Sequence, residues 1–238
     1  MDLRGFYKFT LVDYPGRIAC IVFTAGCNFR CPYCHNAALV LDPHSQPRVT
    51  EAEVFNFLST RTELLDGVVI SGGEPTLQSD LIDFCRKIRE MGFKFKLDTN
   101  SSRPDVVLAL HREVGIDALG IDFKAPAGRY NELVNCEQPD LAANVFKVIR
   151  FALDNGIDAD VRTTVHRRLL SVADLEQMYA ELCAAGTTHW TLQQFNPVEV
   201  IDDDLPGEAT YSDGELIAIA KKLGPDVRVR SLTGRIIE

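Results

Sequence analysis

Short apolar runs alternate with amphipathic stretches along most of the chain. Residues 18–26 (IACIVFTAG) and 67–71 (GVVIS) read as buried strands. Residues 93–99 (FKFKLDT) alternate as a strand with one polar face, and 118–125, 157–166 and 189–195 complete a set of six. Between them lie helical patterns at 50–65, 77–91, 104–114, 140–156, 171–186 and 213–223. Their boundaries carry start and stop signals. Thr50 with Glu53 and Ser212 with Glu215 have capping-box spacing, and Ser171 with Asp174 marks another start. Pro104 sits where a first helical turn tolerates it, and Gly156 and Gly186 follow helix ends. Residues 227–231 (VRVRS) suggest a short edge strand.

Strands alternating with helices imply a parallel sheet with right-handed crossovers. Eight such units close a barrel of about 250 residues. Here the N-terminal segment and the tail occupy residues that further units would need. The expectation is an α/β fold, a partial open (β/α)6 barrel, with an open doubly wound sheet as the competitor. One domain is expected over 1–238, with a core of about 16–197 and a helical tail of about 198–238. In either architecture, ligand residues belong on loops at the C-terminal ends of the strands.

The 238 residues are 46% apolar and 25% charged, enough for a sizeable core, with a net charge of −9. An acidic surface repels phosphate backbones, so no nucleic-acid partner is expected. No run approaches the roughly 18 apolar residues of a membrane span, and the start carries no secretory pattern. The expectation is a cytoplasmic protein with no membrane partner. Its seven cysteines then point to metal binding or burial rather than disulfides. Cys20, Cys85, Cys136 and Cys183 share no ligand spacing and read as incidental thiols.

Cys27, Cys31 and Cys34 are different: they form CxxxCxxC just after the first predicted strand. A structural zinc site takes four ligands. His35 adjoins Cys34, but neighbouring residues rarely point at one metal, and no second CxxC exists. Three thiolates fit an iron–sulfur cluster better, because one iron then stays open for catalysis. A second motif, SGGEP at 71–75, follows the second strand. Gly72 and Gly73 allow close backbone approach to a ligand, and Glu74 adds a carboxylate. A plain loop before a helix is the simpler account of SGGEP taken alone.

Together these segments resemble the radical S-adenosylmethionine superfamily, whose marks are CxxxCxxC with an aromatic residue before the last cysteine, here Tyr33, and GGEP. DYPGRIACIVFTAGCNFRCPYCHN, LDTN, DFKA, VRTTV and LQQF resemble the glycyl-radical-enzyme activating proteins, most of all the branch serving anaerobic ribonucleoside-triphosphate reductase. The likeness runs from about residue 3 to 197. It implies a [4Fe–4S] cluster on Cys27, Cys31 and Cys34, chelated at its open iron by S-adenosylmethionine. It places Tyr33 against the adenine, and Gly72, Gly73 and Glu74 near the methionyl amino group. It implies cofactor contacts for Asn36, Asp98, Asp122, Lys124 and Arg162. Without it, Asp98 and Asn100 read as turn formers, Asp122 and Lys124 as an ion pair on one strand face, and Arg162 as a surface charge. Two departures stand out. LQQF lacks the histidine of pyruvate formate-lyase activators, leaving Gln193 or Gln194 in its place, and DTNS has Ser101 where DTNG is usual.

The reaction implied is that of an oxidoreductase. One electron splits S-adenosylmethionine into methionine and a 5′-deoxyadenosyl radical, which takes hydrogen from a glycine Cα of a partner. The implied partners are a glycyl-radical enzyme, anaerobic ribonucleotide reductase by the resemblance, and a flavodoxin or ferredoxin electron donor. The competing readings are the same chemistry on a small molecule and a zinc-stabilised adaptor without activity.

Overall fold

The computed structural model describes residues 1–238. Its strands are β1 (Leu3–Thr10), β2 (Ala19–Thr24), β3 (Gly67–Gly72), β4 (Lys94–Thr99), β5 (Ala118–Asp122), β6 (Asp158–Val165), β7 (Trp190–Gln194), β8 (Val227–Arg230) and β9 (Ile236–Ile237). Its α-helices are α1 (Ala37–Leu41), α2 (Glu51–Ser59), α3 (Leu81–Glu90), α4 (Pro104–Val114), α5 (Tyr130–Val134), α6 (Leu141–Asp154), α7 (Val172–Ala185) and α8 (Asp213–Leu223). In the sheet the strands follow chain order, β1 to β9. A doubly wound sheet reverses its order at a switch point. This one never reverses, and it ends at β1 and β9 without closing. The fold is therefore an open, singly wound α/β sheet, mostly parallel: β2–β3, β3–β4, β6–β7 and β7–β8 run parallel, while β1–β2 and β8–β9 are antiparallel. The six expected strand–helix units are β2–α2, β3–α3, β4–α4, β5–α6, β6–α7 and β7–α8.

The chain divides into two compact units. The first comprises residues 1–28 and 36–120. On one face of its sheet, Tyr14, Ala19, Ile21, Val69 and Ala118 form a buried apolar cluster, with Phe23 against it. The helices bury an apolar stripe each, Val54 and Leu58 from α2, Phe84 and Ile88 from α3, and Val107 and Leu110 from α4, as helical periodicity requires. The second unit comprises residues 29–35 and 121–238. There α6 packs on β6 and α8 on β7 and β8. Trp190, fully buried, donates its indole N–H to Thr163 Oγ1 at 2.9 Å.

All three start signals form reciprocal capping boxes: Thr50 with Glu53, Ser171 with Asp174, Ser212 with Glu215. In each, the cap hydroxyl accepts the third amide and the acid returns to the cap amide, satisfying two orphan donors. Several boundaries differ from the sequence pattern. The helix expected over 50–65 stops at Ser59, where the Ser59 and Thr60 hydroxyls donate to the carbonyls of Asn56 and Phe57 at 2.8 and 2.9 Å. Local hydroxyl bonds of this kind compete with helix propagation. Residues 227–231, expected at an edge, give β8, which lies between β7 and β9. The edge on that side is β9, and the opposite edge is β1; the hydrophobic pattern assigned a strand to neither. No helix is long and apolar enough to cross a membrane.

Candidate functional site

In the first unit, the loops after β2 and β3 lie backbone against backbone. The Gly73 N–H donates to the Thr24 carbonyl at 2.9 Å, and the Glu74 N–H to the Gly26 carbonyl at 2.8 Å. A Cβ on Gly72, whose φ is +117°, would stand 2.2 Å from Thr24 N, and one on Gly73 1.9 Å from Gly26 O. The two glycines are thus required by the chain's own approach to the start of the cysteine loop. From the sequence alone, the paired glycines read as allowing close approach to a ligand. Asn36 joins the same arrangement, its side-chain amide donating to the Gly72 carbonyl at 2.9 Å.

Glu74 is fully buried. Its Oε1 accepts from Thr76 N at 3.1 Å, Thr76 Oγ1 at 2.5 Å and Thr99 Oγ1 at 2.8 Å, and its Oε2 accepts from Asn100 N at 2.6 Å. Burial raises its carboxyl above the usual range, and these bonds from Thr76, Asn100 and Thr99 hold the rise back. The carboxylate therefore ties the β3 loop to the end of β4. Asp98, on β4, is buried and ion-paired with Lys96, which is only 2% exposed. Positions 96 and 98 share one strand face; the alternation in 93–99 indicated the face but not the pairing. Ser101 takes φ +61°, so the serine that replaces the usual glycine keeps the left-handed turn.

Cys27 belongs to this unit, and the Asn100 side-chain amide lies 3.7 Å from its Sγ and 3.0 Å from Asn28 Oδ1. This contact was not anticipated: Asn100 carried only a turn-forming role in the sequence. Cys31 and Cys34 belong to the second unit, where a backbone bond from Cys34 N to Cys31 O at 3.0 Å closes the turn between them. That segment is fastened within its unit by Arg30 N to Val134 O at 2.8 Å and Asp202 N to Pro32 O at 2.9 Å. His35 points its Nε2 to Asn196 O at 3.0 Å and stacks on Phe195. All seven cysteines lie outside disulfides. Cys20 and Cys85 are fully buried, and burial pushes the Cys20 thiol up to about 12, as expected of structural thiols.

The second unit also gathers Asp122, Lys124 and Arg162. Lys124 Nζ lies 3.0 Å from Asp122 Oδ2, and Arg162 Nε 2.8 Å from Asp122 Oδ1. Burial alone would raise the Asp122 carboxyl, but Lys124 and Arg162 hold it far below the usual range. Burial likewise disfavours the Lys124 ammonium, and Asp122 more than compensates. Lys124 Nζ sits 5.8 Å from the centre of the buried Tyr33 ring. The Tyr130 hydroxyl donates to the Asp122 carbonyl at 3.2 Å. Gln194 uses its amide nitrogen on the Tyr211 carbonyl at 2.7 Å, which ties it to the tail.

An open, singly wound sheet with three thiols after its first parallel strand and a GGEP loop fastened beside Cys27 defines a class, and the family match agrees. The profile of the radical SAM superfamily matches residues 21–189. The chain belongs to that superfamily, which implies S-adenosylmethionine and an iron–sulfur cluster. Among individual relatives, it is 33% identical over 238 residues to MJ1227 of Methanocaldococcus jannaschii, spanning 98% of this chain and 97% of that one. That protein is provisionally named a glycyl-radical enzyme activating enzyme. The pyruvate formate-lyase 1-activating enzyme of Escherichia coli is 35% identical over 129 residues, about half of each chain (51% and 51%). Streptococcus suis SuiB, solved bound to S-adenosylmethionine, shares the fold at a TM-score of 0.62 with 13% identity, over 87% of this chain and 48% of SuiB. Thiolates are soft donors of the kind that iron–sulfur centres take, and an amide donor already faces the sulfur of Cys27.

Proposed function

We propose that this chain is an activating enzyme of a glycyl-radical enzyme. The observation that carries the reading is the similarity to MJ1227 along almost the whole of both chains. In this reading Cys27, Cys31 and Cys34 hold a [4Fe–4S] cluster, with one iron left for S-adenosylmethionine. When bound, the pair supplies a one-electron cleavage of the sulfonium that yields a 5′-deoxyadenosyl radical able to take hydrogen from a partner's glycine.

The chain's own residues position that chemistry. Gly72, Gly73 and Glu74 offer a strand end for the methionyl amino group. Asn36 fixes the Gly72 carbonyl, and the Glu74 carboxylate fixes Thr99 and Asn100. Asp98, held by Lys96, and Asp122, held between Lys124 and Arg162, present oriented carboxylates for cofactor hydroxyl or amine groups. Lys124 in turn offers a cation for a carboxylate. Tyr33 would meet the adenine through its backbone, because its ring is buried beneath Lys124.

The partner proposed first is anaerobic ribonucleotide reductase, on the likeness of the LDTN, DFKA and VRTTV segments, with a cytoplasmic flavodoxin or ferredoxin as donor. The test is anaerobic reconstitution with iron and sulfide, then S-adenosylmethionine, reductant and a candidate glycyl-radical enzyme. A glycyl doublet in the EPR spectrum with anaerobic ribonucleotide reductase supports the full reading. A doublet only with pyruvate formate-lyase keeps the activase and changes the partner. Cleavage of S-adenosylmethionine with no doublet on any such partner points to a small-molecule substrate, and stoichiometric zinc without iron to the adaptor.

A further inference from the structure

Asn100 stands directly after β4, 4% exposed, and every polar group of its side chain is engaged. Its Oδ1 accepts the Ser102 N–H at 2.9 Å. That bond settles which end of the amide faces where, since an acceptor is needed toward Ser102. The NH2 end therefore points at the cysteine loop, its Nδ2 lying 3.0 Å from Asn28 Oδ1 and 3.7 Å from Cys27 Sγ. The backbone holds it there. Asn100 N donates to the buried Glu74 carboxylate, and Ser101 turns the chain in the left-handed region immediately afterwards. The donor is thus preorganised by three contacts that do not involve the sulfur.

We propose that Asn100 is a positioning residue for the cluster, donating a hydrogen bond to the Cys27 sulfur and raising the cluster's reduction potential. The inference deepens the proposed function and rests on Cys27 being a cluster ligand. The physical ground is direct. A thiolate accepts from an amide more strongly than a thiol does, because the bond becomes charge-assisted. Adding one electron to the cluster places further negative charge on its sulfurs, so an N–H donor favours the reduced state. The same Nδ2 lies within hydrogen-bond distance of Asn28 Oδ1, which helps hold the amide beside the sulfur.

The test is an EPR-monitored redox titration of the reconstituted protein without S-adenosylmethionine, comparing wild type, Asn100→Ala and Asn100→Asp. Asn100→Asp keeps an acceptor for Ser102 and the backbone bond to Glu74 while removing the NH2 donor. The expected result is a cluster harder to reduce in both variants. A ten-fold change in the equilibrium corresponds to 59 mV for one electron, and Asp should shift further than Ala because it adds repulsion. In parallel, 15N labelling of asparagine in the wild type should give a hyperfine coupling to the reduced cluster, lost in Asn100→Asp. That second readout decides the matter if either variant fails to take up a cluster. Unchanged midpoints with full cluster occupancy, or no coupling in the wild type, overturn the proposal while leaving the radical chemistry intact. A wild type that binds no cluster overturns the proposed function itself.

Discussion

The amide of Glu74 donates to the carbonyl of Gly26 at 2.8 Å, and the missing Cβ of Gly73 would fall 1.9 Å from the same oxygen. One oxygen thus explains both why the second residue of GGEP is a glycine and how the motif is fastened to the loop that begins with Cys27. Gly73→Ala must push these two backbones apart. Overpacking of this kind costs about 1–3 kcal/mol. The expected outcome is a lower urea midpoint and reduced iron content after reconstitution, measured on the same preparation.

Ser101 sits at φ +61° with its buried hydroxyl lacking a hydrogen-bond partner. A left-handed conformation costs an L-residue about 1–2 kcal/mol, partly offset by the entropy a glycine loses on folding. Ser101→Gly should therefore stabilise the protein by about 1 kcal/mol, read from denaturant unfolding. A destabilised variant would contradict the account of this turn.

Lys96 and Asp98 form a buried ion pair. Removing one member of such a pair costs about 3–5 kcal/mol, because the other charge is left buried. Lys96→Met should fall in that range by urea unfolding. The double variant Lys96→Met, Asp98→Leu should recover part of the loss, and additive costs would show that the pair is not coupled.

Asp122 gives a pH dependence with a fixed sign. Its carboxyl lies far below the usual carboxylate range in the folded state, against the effect of burial, because Lys124 and Arg162 favour its ionised form. The unfolded state then binds the proton more readily. The stabilisation is fully present above the unfolded value, about 3.9, and is lost as pH falls from there through the lower folded value. Unfolding measured between pH 7 and pH 2 should show this loss in wild type. Asp122→Asn should be less stable at pH 7 and should lack this component of the acid slope.

Much of this arrangement was legible in the sequence, for local reasons. Ser and Thr with an acid three residues on cap helices through their own side chains, so the three boxes could be read directly. The six strand–helix units followed from periodicity, and the run after the first predicted strand carried its cysteines in plain view. What stayed hidden depends on distant neighbours. β1 leaves Tyr7 and Phe9 exposed at a sheet edge, so its pattern does not separate an inner from an outer face. The role of Gly72 and Gly73 needed the position of Thr24 and Gly26, far away in sequence. The Asn100 amide could not be aimed at Cys27 without the Ser102 and Glu74 bonds that orient it.

The most direct test of the central claim uses the reconstituted protein with S-adenosylmethionine, a reductant and a glycyl-radical enzyme deuterated at its glycine Cα. The account predicts a glycyl radical on the partner and deuterium in the released 5′-deoxyadenosine, both abolished by Cys31→Ala. Intact S-adenosylmethionine under reducing conditions, with iron replaced by zinc on the three cysteines, would contradict it.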